Sequence, residues 1–494
     1  MKALKTKTHD STIYFPYGNL YCRVYIYNFL YRNYHLENVQ IEIKYFELNG
    51  KYIKKELIFL EDDASFILDS KEMSFKRDVI VELSLKNNFE IKGIIRAFAD
   101  YYNDKVITSV HEQGAFWSSS KDVVAQGSIP ILATKKKKLY LLIQNTHAKK
   151  KKINFKFRVF NYQGESLLLE GKSLKYREFC KIKVTNKKVL NFLKNRNGHV
   201  VIEYDSYIGR AAYIYLSKNI TYASVSHATY YAFAKRLHSE QDYYSGDRHT
   251  VQTFLFLNNY KNFSSEITLF NDYMEKKYFD IEIYDKKGIC IKKYFKYVVL
   301  GHNQTTTISA SLLGIDNFRG SIRILAYFKD LNPLYVNANY TLLYKKNRAD
   351  SAIEFIPYLN SIDKRESDIK ETKVTKTNTT HRSRQFCRAV IDDTFRSYLL
   401  LSFTSSQNHI EVVTKVKVTF ISQDGHYSIT KYISLHLNQS FMKPIDKILS
   451  KKEFSLVGKY FTVYLRDSFH KVSSFILIKN KKTNDIGMDH FVGA

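Results

Sequence analysis

The segment IEIKYFELNGKYI, residues 41–53, decides the fold because it reads as two strands joined by one tight turn. Apolar and polar side chains alternate on both sides of Asn49 and Gly50, which is the period of a strand with one buried face. Glycine reaches the positive φ of a hairpin turn without steric cost, so we expect the turn at Gly50. The segment therefore predicts a β-hairpin.

The same arrangement recurs three times further along the 494-residue chain, in FRVFNYQGESL (157–167), IEIYDKKGICI (281–291) and VKVTFISQDGHYSI (416–429). The turn glycines Gly50, Gly164, Gly288 and Gly425 are 114, 124 and 137 residues apart, a spacing that fits one β-sandwich and a linker each time. Further strand-like runs flank each turn in the same order. We therefore predict an all-β chain, a tandem array of four antiparallel β-sandwich (immunoglobulin-like) domains, called modules below.

The module boundaries are expected at residues 12–117, 139–233, 251–357 and 386–494. Linkers are expected where the strand pattern lapses, near 118–138, 234–250 and 358–385. The third is the longest and most polar of these segments, which predicts a flexible linker. The Cys and Trp pattern of antibody domains is missing, so the strand topology inside each sandwich stays open.

The composition is 44% hydrophobic and 15% aromatic, which excludes a disordered chain. The formal net charge of +29 predicts attraction to phosphate, anionic lipid or acidic polysaccharide at low salt. The excess of Lys, Asn, Ile, Tyr and Phe also fits an AT-rich genome, and codon bias would then account for part of this charge. No signal peptide or transmembrane segment is expected, which makes the cytoplasm the default location and non-classical export the alternative.

A histidine recurs at the end of the last predicted strand in three modules, in TSVHEQGAF, in ASVSHATYYAF and in the pair Asp489-His490. His111, His227 and His490 follow their turn glycines by 61, 63 and 65 residues, so we predict that they occupy equivalent positions. The matching stretch of module 3, RADSAIEF at 348–355, contains acidic residues and no histidine.

Two interpretations of these histidines remain open. In the structural one, each imidazole donates to a backbone carbonyl and packs beneath an aromatic ring, which fixes the exit of the last strand. In the functional one, the strand ends line a ligand-binding surface, and aromatic rings flanked by polar groups suit sugars. The residues of this predicted surface are His111, Glu112, Phe116, Trp117, His227, Tyr230, Tyr231, Asp489 and His490.

No catalytic residues, cofactor or metal site are predicted. The chain contains no G-x-S-x-G, P-loop, G-x-G-x-x-G or HExxH motif, and its four cysteines show no CxxC spacing. Ser226 and His227 are neighbours on one strand, so their side chains point to opposite faces. One histidine and one acid per module cannot complete a shell of four metal ligands.

The sequence therefore predicts a non-catalytic binding or scaffold protein, related to carbohydrate or to a cell surface. Its expected partners are a polysaccharide or another anionic polymer, or proteins bound through the sandwich edges. Two alternatives stay open. One is an enzyme with a site between modules that uses the strand-end histidines, and the other is a basic accessory protein that binds nucleic acid or an anionic polymer by charge.

Overall fold

A computed structural model describes residues 11–34, 37–86, 96–111, 125–132, 137–146, 152–205, 211–221, 223–230, 248–259, 263–328, 333–334, 337–344, 353–355, 360–363, 385–403, 413–467 and 472–493. Over these residues the chain is almost entirely β, with short helices only. The predicted all-β array of antiparallel β-sandwiches is confirmed. The α-helices are α1 (Phe29–Tyr34), α2 (Lys187–Leu193) and α3 (Lys451–Val457).

Module 1 contains two four-stranded antiparallel sheets, with the strand orders β1-β6-β3-β4 and β5-β2-β7-β8. A short 3-10 helix, Ser70–Glu72, follows the fifth strand. The strands are β1 (Ser11–Phe15), β2 (Tyr21–Tyr27), β3 (Val39–Glu47), β4 (Tyr52–Leu60), β5 (Ser65–Asp69), β6 (Val79–Leu85), β7 (Ala97–Tyr102) and β8 (Ile107–His111).

Module 2 repeats this plan, with the orders β12-β11-β15-β9-β18 and β14-β10-β16-β17, and β13 pairs with β11. The strands are β9 (Ala125–Ile131), β10 (Lys137–Gln144), β11 (Lys152–Phe160), β12 (Ser166–Leu169), β13 (Ser173–Lys175), β14 (Phe179–Lys183), β15 (Gly198–Tyr204), β16 (Ala212–Ser217), β17 (Ala223–His227) and β18 (Thr229–Tyr230).

Module 3 has the orders β22-β21-β24-β19-β28 and β23-β20-β26-β27, and β25 pairs with β24. The strands are β19 (Arg248–Asn259), β20 (Phe263–Phe270), β21 (Lys277–Asp285), β22 (Cys290–Leu300), β23 (Thr305–Ser309), β24 (Phe318–Tyr327), β25 (Pro333–Leu334), β26 (Asn337–Tyr344), β27 (Ile353–Phe355) and β28 (Asn360–Asp363).

Module 4 has the orders β32-β31-β34-β29-β37 and β33-β30-β35-β36, with a second 3-10 helix at Ile445–Lys447. The strands are β29 (Gln385–Val390), β30 (Phe395–Phe403), β31 (Val413–Ser422), β32 (Ser428–His436), β33 (Ser440–Pro444), β34 (Tyr460–Asp467), β35 (Val472–Asn480), β36 (Ile486–His490) and β37 (Val492–Gly493).

Alternation of side chains explains why these segments form strands with one buried face. In β11, the burial of successive residues alternates along KINFKFRVF, so that Ile153, Phe155 and Phe157 face the core while Asn154 and Lys156 between them face water. Such a register is strongly specified, because a slip of one residue would expose the apolar set.

The four predicted hairpin turns have one geometry. Each turn glycine has a positive φ, between 79° and 89°, and its N–H donates to the carbonyl three residues earlier at 2.9–3.0 Å. These positions require a left-handed backbone, which glycine adopts at low cost. The predicted turns are confirmed at Gly50, Gly164, Gly288 and Gly425.

Each hairpin turn also packs against the next module, and the turn of module 4 packs against module 1. The contact is close, because a Cβ added at any of the four glycines would lie only 2.3–3.2 Å from a backbone oxygen of the neighbour. The four modules therefore form a closed, head-to-tail ring. The pairs are Gly50 with Tyr176, Gly164 with His302, Gly288 with Leu437, and Gly425 with Asp62.

The hydrophobic cores continue across some of these contacts. Phe386 of module 4 packs against three aromatic rings of module 1, at centroid distances of 5.2 Å to Tyr27, 5.6 Å to Phe29 and 5.7 Å to Phe98. Buried residues of modules 1 and 4 accordingly belong to one cluster, and those of modules 3 and 4 share another. Burial of apolar surface thus stabilises the ring as well as each sandwich.

All three segments placed in linkers by the sequence contribute residues to strands, and two of them contain a complete strand. Residues 125–131, within the expected first linker, form β9 and pair with β15. Gly127 and Pro130 are residues that usually mark turns, so the sequence of this segment does not have the pattern of a strand. Residues 360–363, at the start of the expected linker 358–385, form β28 and pair with β19. Apart from Gln385, the first residue of β29, the rest of that linker lies outside the described residues, so its flexibility stays a prediction.

Candidate functional site

One strand of each module, namely β8, β17, β27 and β36, lies at the centre of the ring, and we call these four the closing strands. β8 contacts β17 and β36, and β27 contacts the same two strands, so the four form a closed set. Each closing strand pairs with the strand that precedes it in the chain, and the register places its last residue opposite a residue of that strand. The paired positions are His111 with Phe98, His227 with Ala212, Phe355 with Tyr340, and His490 with Phe475.

The predicted equivalence of the three histidines is therefore confirmed by the strand register. Each is the last residue of its closing strand, and module 3 has Phe355 at that position. Because the closing strands lie side by side, His111, His227 and His490 come together. We call these three residues the histidine cluster.

The imidazoles of the histidine cluster touch one another. Nε2 of His111 and Nε2 of His227 are 3.1 Å apart, and their ring centroids are 4.7 Å apart. The rings of His111 and His490 are separated by 4.2 Å between centroids. One ligand atom from each of the three residues lies within 4.8 Å of the others. The cluster is therefore a compact group of nitrogen ligands contributed by three different modules.

The other ring nitrogen of each histidine, Nδ1, lies at hydrogen-bond distance from an oxygen atom. Nδ1 of His227 donates to the carbonyl of Ala228 at 3.2 Å, and Nδ1 of His490 donates to that of Phe491 at 2.7 Å. These are the backbone contacts that the structural interpretation predicts. Nδ1 of His111 lies 3.1 Å from a carboxylate oxygen of Asp489. All three rings are thus fixed in orientation.

Charged side chains from modules 1 and 4 surround Asp489. The guanidinium of Arg388 lies 4.0 Å from one Asp489 oxygen and also pairs with Asp100. Burial raises the pKa of Asp489, while the positive charge of Arg388 acts in the opposite direction. The neighbourhood of the histidine cluster therefore contains two carboxyl groups and one guanidinium, all buried.

The described residues of the predicted ligand surface are buried. His111, His227 and His490 are 3%, 5% and 7% exposed, and Asp489 is also buried. A polymer cannot reach side chains at that depth, so these four residues do not line an open sugar-binding surface in this structure. Glu112, Phe116, Trp117 and Tyr231 lie outside the described residues, as does the side chain of Tyr230, and their role stays a prediction.

The expectation of no metal site rested on one histidine and one acid per module. The structure brings together one histidine from each of three modules, so this argument does not apply to the histidine cluster. Sequence reasoning also missed Arg388 and Asp100, which pair between modules 4 and 1. The similar distances of the three histidines from their turn glycines, 61, 63 and 65 residues, were the available signal for the cluster, because equivalent positions in a ring lie at equal distances from its centre.

The fold and the histidine cluster together define a class: a tandem array of antiparallel β-sandwiches closed into a ring by contacts between successive modules. No protein-family model and no curated protein matches the chain. No helix of the described residues has the length and apolar character needed to cross a membrane.

Solved structures match the chain only weakly. One is a Bacteroides uniformis β-glucuronidase 2 covalently bound to cyclophellitol-6-carboxylate aziridine, with 8% identity, 58% of this chain covered and a TM-score of 0.12. Another is trypsin-activated α-2-macroglobulin from Escherichia coli, with 7% identity, 99% of this chain covered and a TM-score of 0.13. This chain spans 27% and 42% of those two chains. With such low TM-scores, we transfer no property of either protein to this chain.

Proposed function

We propose that the chain is a non-catalytic scaffold that binds an acidic polysaccharide along the edges of its sandwiches. The observation that supports this is a set of exposed aromatic side chains on the fourth strands of three modules. Phe59 on β4, Phe295 on β22 and Tyr432 on β32 are 59%, 76% and 66% exposed. Aromatic faces at such positions can stack on the C–H faces of sugar rings.

The longest of these strands, β22, has the clearest binding surface. It lies at the edge of its sheet, and its exposed side chains include Ile291, Phe295, Tyr297 and Val299. A long, apolar edge strand without a partner promotes aggregation, because it presents apolar surface and unpaired backbone groups to other chains. A bound polymer is a partner that would cover this surface.

Lysines between the aromatic residues supply the charge. On β22, Lys293 lies two positions before Phe295, on the same face of the strand, and Lys296 follows Phe295. Lys293 forms an ion pair with Glu282 at 3.1 Å, so its charge is partly balanced within the protein. The net charge of +29 nevertheless favours an acidic polymer over a neutral one.

The buried histidine cluster favours this proposal over the enzyme alternative. An enzyme using His111, His227 or His490 would need an open path from solvent to the imidazoles, yet these side chains are buried by three modules. The exposed edge strands need no such path. In this proposal the edge strands at the periphery bind the polysaccharide, whereas the histidine cluster packs the modules together at the centre.

The test is binding of the full chain to polygalacturonate, with neutral dextran as the comparison, by isothermal titration calorimetry at two salt concentrations. We expect binding to polygalacturonate that weakens with salt, and a loss of more than about tenfold in affinity for Phe295→Ala with Tyr432→Ala. The matched control is Tyr17→Ala, since Tyr17 is also an exposed aromatic residue, at 61%, but lies between β1 and β2 and off the edge strands.

Two results would count against the proposal. One is the absence of binding to polygalacturonate, and the other is equal affinity of the wild type and the double variant. If duplex DNA bound as tightly as polygalacturonate and the aromatic substitutions had no effect, the charge alone would be responsible, as in the nucleic-acid alternative.

A further inference from the structure

We propose that the histidine cluster binds one divalent transition-metal ion of the zinc type, which ties modules 1, 2 and 4 together at the centre of the ring. This site goes beyond the binding function, which uses residues of the edge strands. His111, His227 and His490 would be its three protein ligands, each through Nε2.

The hydrogen bonds of the cluster identify which ring nitrogen carries the lone pair that a metal would need. A carbonyl oxygen only accepts hydrogen bonds, so Nδ1 of His227 and Nδ1 of His490 must carry the hydrogen. In a neutral imidazole the other nitrogen, Nε2, then has the lone pair. The same tautomer follows for His111 when Nδ1 donates to the carboxylate of Asp489.

Two lone pairs then face each other across the cluster. Nε2 of His111 and Nε2 of His227 are 3.1 Å apart, a distance at which two unprotonated nitrogens repel unless a cation or a shared proton lies between them. Tetrahedral Zn²⁺ with bonds of about 2.0–2.1 Å places its nitrogen ligands ~3.3 Å apart. The observed spacing is therefore close to that of two ligands of one ion.

The third ligand and the chemistry of the set also fit a transition metal. Ligand atoms of all three residues lie within 4.8 Å of one another, so metal binding would draw the rings slightly closer. Imidazole nitrogens suit Zn²⁺, Cu²⁺, Fe²⁺ and Ni²⁺, whereas Ca²⁺ and Mg²⁺ prefer oxygen. Module 3 places Phe355 at the equivalent strand position, so the protein ligands of the set are three imidazoles.

The surroundings resemble those of known metal-binding histidines. A ligating histidine almost always donates its second ring N–H to a carboxylate or a backbone carbonyl, which fixes the ring and increases its basicity. The cluster has one carboxylate, from Asp489, and two carbonyls, from Ala228 and Phe491, in this role. The carboxylate also supplies negative charge close to a buried cation.

A metal at this place would have a structural role. It would join residues that are 116 positions apart, His111 and His227, with a third ligand from the other end of the chain. Because a preformed site does not exist in the unfolded chain, the binding free energy adds to the stability of the closed ring.

The experiment measures metal bound to the full chain. Protein stripped with a chelator is loaded with Zn²⁺, desalted and analysed for its metal content, and a second sample is loaded with Co²⁺ for its visible spectrum. We expect about one Zn²⁺ per chain, a Co²⁺ spectrum typical of tetrahedral coordination, and a higher melting temperature with Zn²⁺ than without.

Substitutions show whether the ion sits in the cluster. His227→Phe follows the pattern of module 3, which has Phe355 at this register, and we expect it to lower the affinity for Zn²⁺ more than tenfold. Asp489→Asn is expected to weaken binding by roughly 10–100-fold, as for other carboxylates that orient a ligating histidine. The matched control is His436→Phe, since His436 is exposed on β32 and its loss should leave the affinity unchanged.

The proposal would be overturned if the wild-type protein bound no more Zn²⁺ than the His227→Phe variant. A proton shared between the two Nε2 atoms would then account for their short separation. Should the variants fail to fold, the wild type alone still decides the matter. A melting temperature that is unchanged by Zn²⁺, or a Co²⁺ spectrum of the aquated ion, would equally overturn it. None of these results bears on polysaccharide binding, which is measured on edge-strand variants.

Discussion

Arg388 of module 4 and Asp100 of module 1 form an ion pair whose side chains are 2% and 1% exposed. The Nε of Arg388 donates to a carboxylate oxygen of Asp100 at 3.1 Å, and the hydroxyl of Ser109 donates to the same oxygen at 2.6 Å. The two partners are 288 positions apart in the chain, so this pair lies where the ring closes.

Removing the negative charge of this pair should strongly destabilise the protein. We expect Asp100→Asn to lower the free energy of unfolding by about 3–5 kcal/mol, because the buried guanidinium of Arg388 loses the carboxylate that it hydrogen-bonds and keeps only Asp489, at 4.0 Å. Urea denaturation of the full chain, followed by tryptophan fluorescence and circular dichroism, measures the change.

The pair Arg396 and Asp446 is the matched control. It is also an Arg–Asp pair of module 4, with bonds of 2.9 Å and 2.8 Å, but its side chains are 29% and 30% exposed. We expect Asp446→Asn to cost less than about 1 kcal/mol, since water solvates the remaining charge. Equal losses for the two variants would show that burial of the pair is not what matters.

The turn glycines provide a separate test of ring closure. Gly425→Ala should destabilise the contact between modules 4 and 1, because the added Cβ would lie 2.4 Å from the carbonyl oxygen of Asp62. We expect a lower urea midpoint and a larger radius of gyration in small-angle X-ray scattering.

Gly50→Ala is the control for backbone strain in the same kind of turn. Its φ of +83° is close to the +79° of Gly425, so both variants should lose about 1–2 kcal/mol from the left-handed backbone alone. At Gly50 the nearest neighbouring atom is 3.2 Å from the added Cβ, which a small shift relieves. If Gly425→Ala cost no more than Gly50→Ala, the close packing of that turn would be unimportant for stability.

The free energy of unfolding should fall as the pH falls, because the unfolded chain binds a proton at His199 and the folded chain does not. Burial, together with the charge of His302, lowers the pKa of His199 to about 3. Its ring stacks on Phe160 at 4.9 Å and meets the edge of Phe270 of module 3 at 5.0 Å. The unfolded chain binds a proton at this residue below about pH 6.5, whereas the folded chain does not until about pH 3.

The free energy of unfolding should therefore fall by about 1.4 kcal/mol per pH unit from this residue alone, between pH 6.5 and pH 3. His199→Phe removes the titrating group and keeps an aromatic ring, so its slope should be smaller by that amount. Chemical denaturation at several pH values measures the slopes, with His436→Phe as the exposed control. Identical slopes for the wild type and His199→Phe would contradict the expectation.

The local features of the fold could be predicted from the sequence. Alternation around Gly50, Gly164, Gly288 and Gly425 predicts hairpins because the side-chain period and the positive φ are properties of a few neighbouring residues. The equivalence of His111, His227 and His490 followed for the same reason, since their distance from the turn glycine depends only on the strands of one module.

The contacts between modules could not be predicted in this way. Nothing near Gly425 in the sequence indicates that the backbone of Asp62 packs against it, and nothing near Asp100 indicates Arg388. The exposure of the edge strand β22 could not be predicted either, because its alternating sequence pattern would be the same if another module covered its outer face. The histidine cluster depends on contacts of this kind, so its presence could be inferred only from the structure.

The head-to-tail order of the modules has a consequence for symmetry. Four identical subunits related by a rotation could build a similar ring, but they would have to place the same residue at all four central positions. A single chain is free of this restriction, since each copy can change independently. The combination of three imidazoles with Phe355 at the fourth strand position is therefore an asymmetry that covalent connection of the modules makes possible.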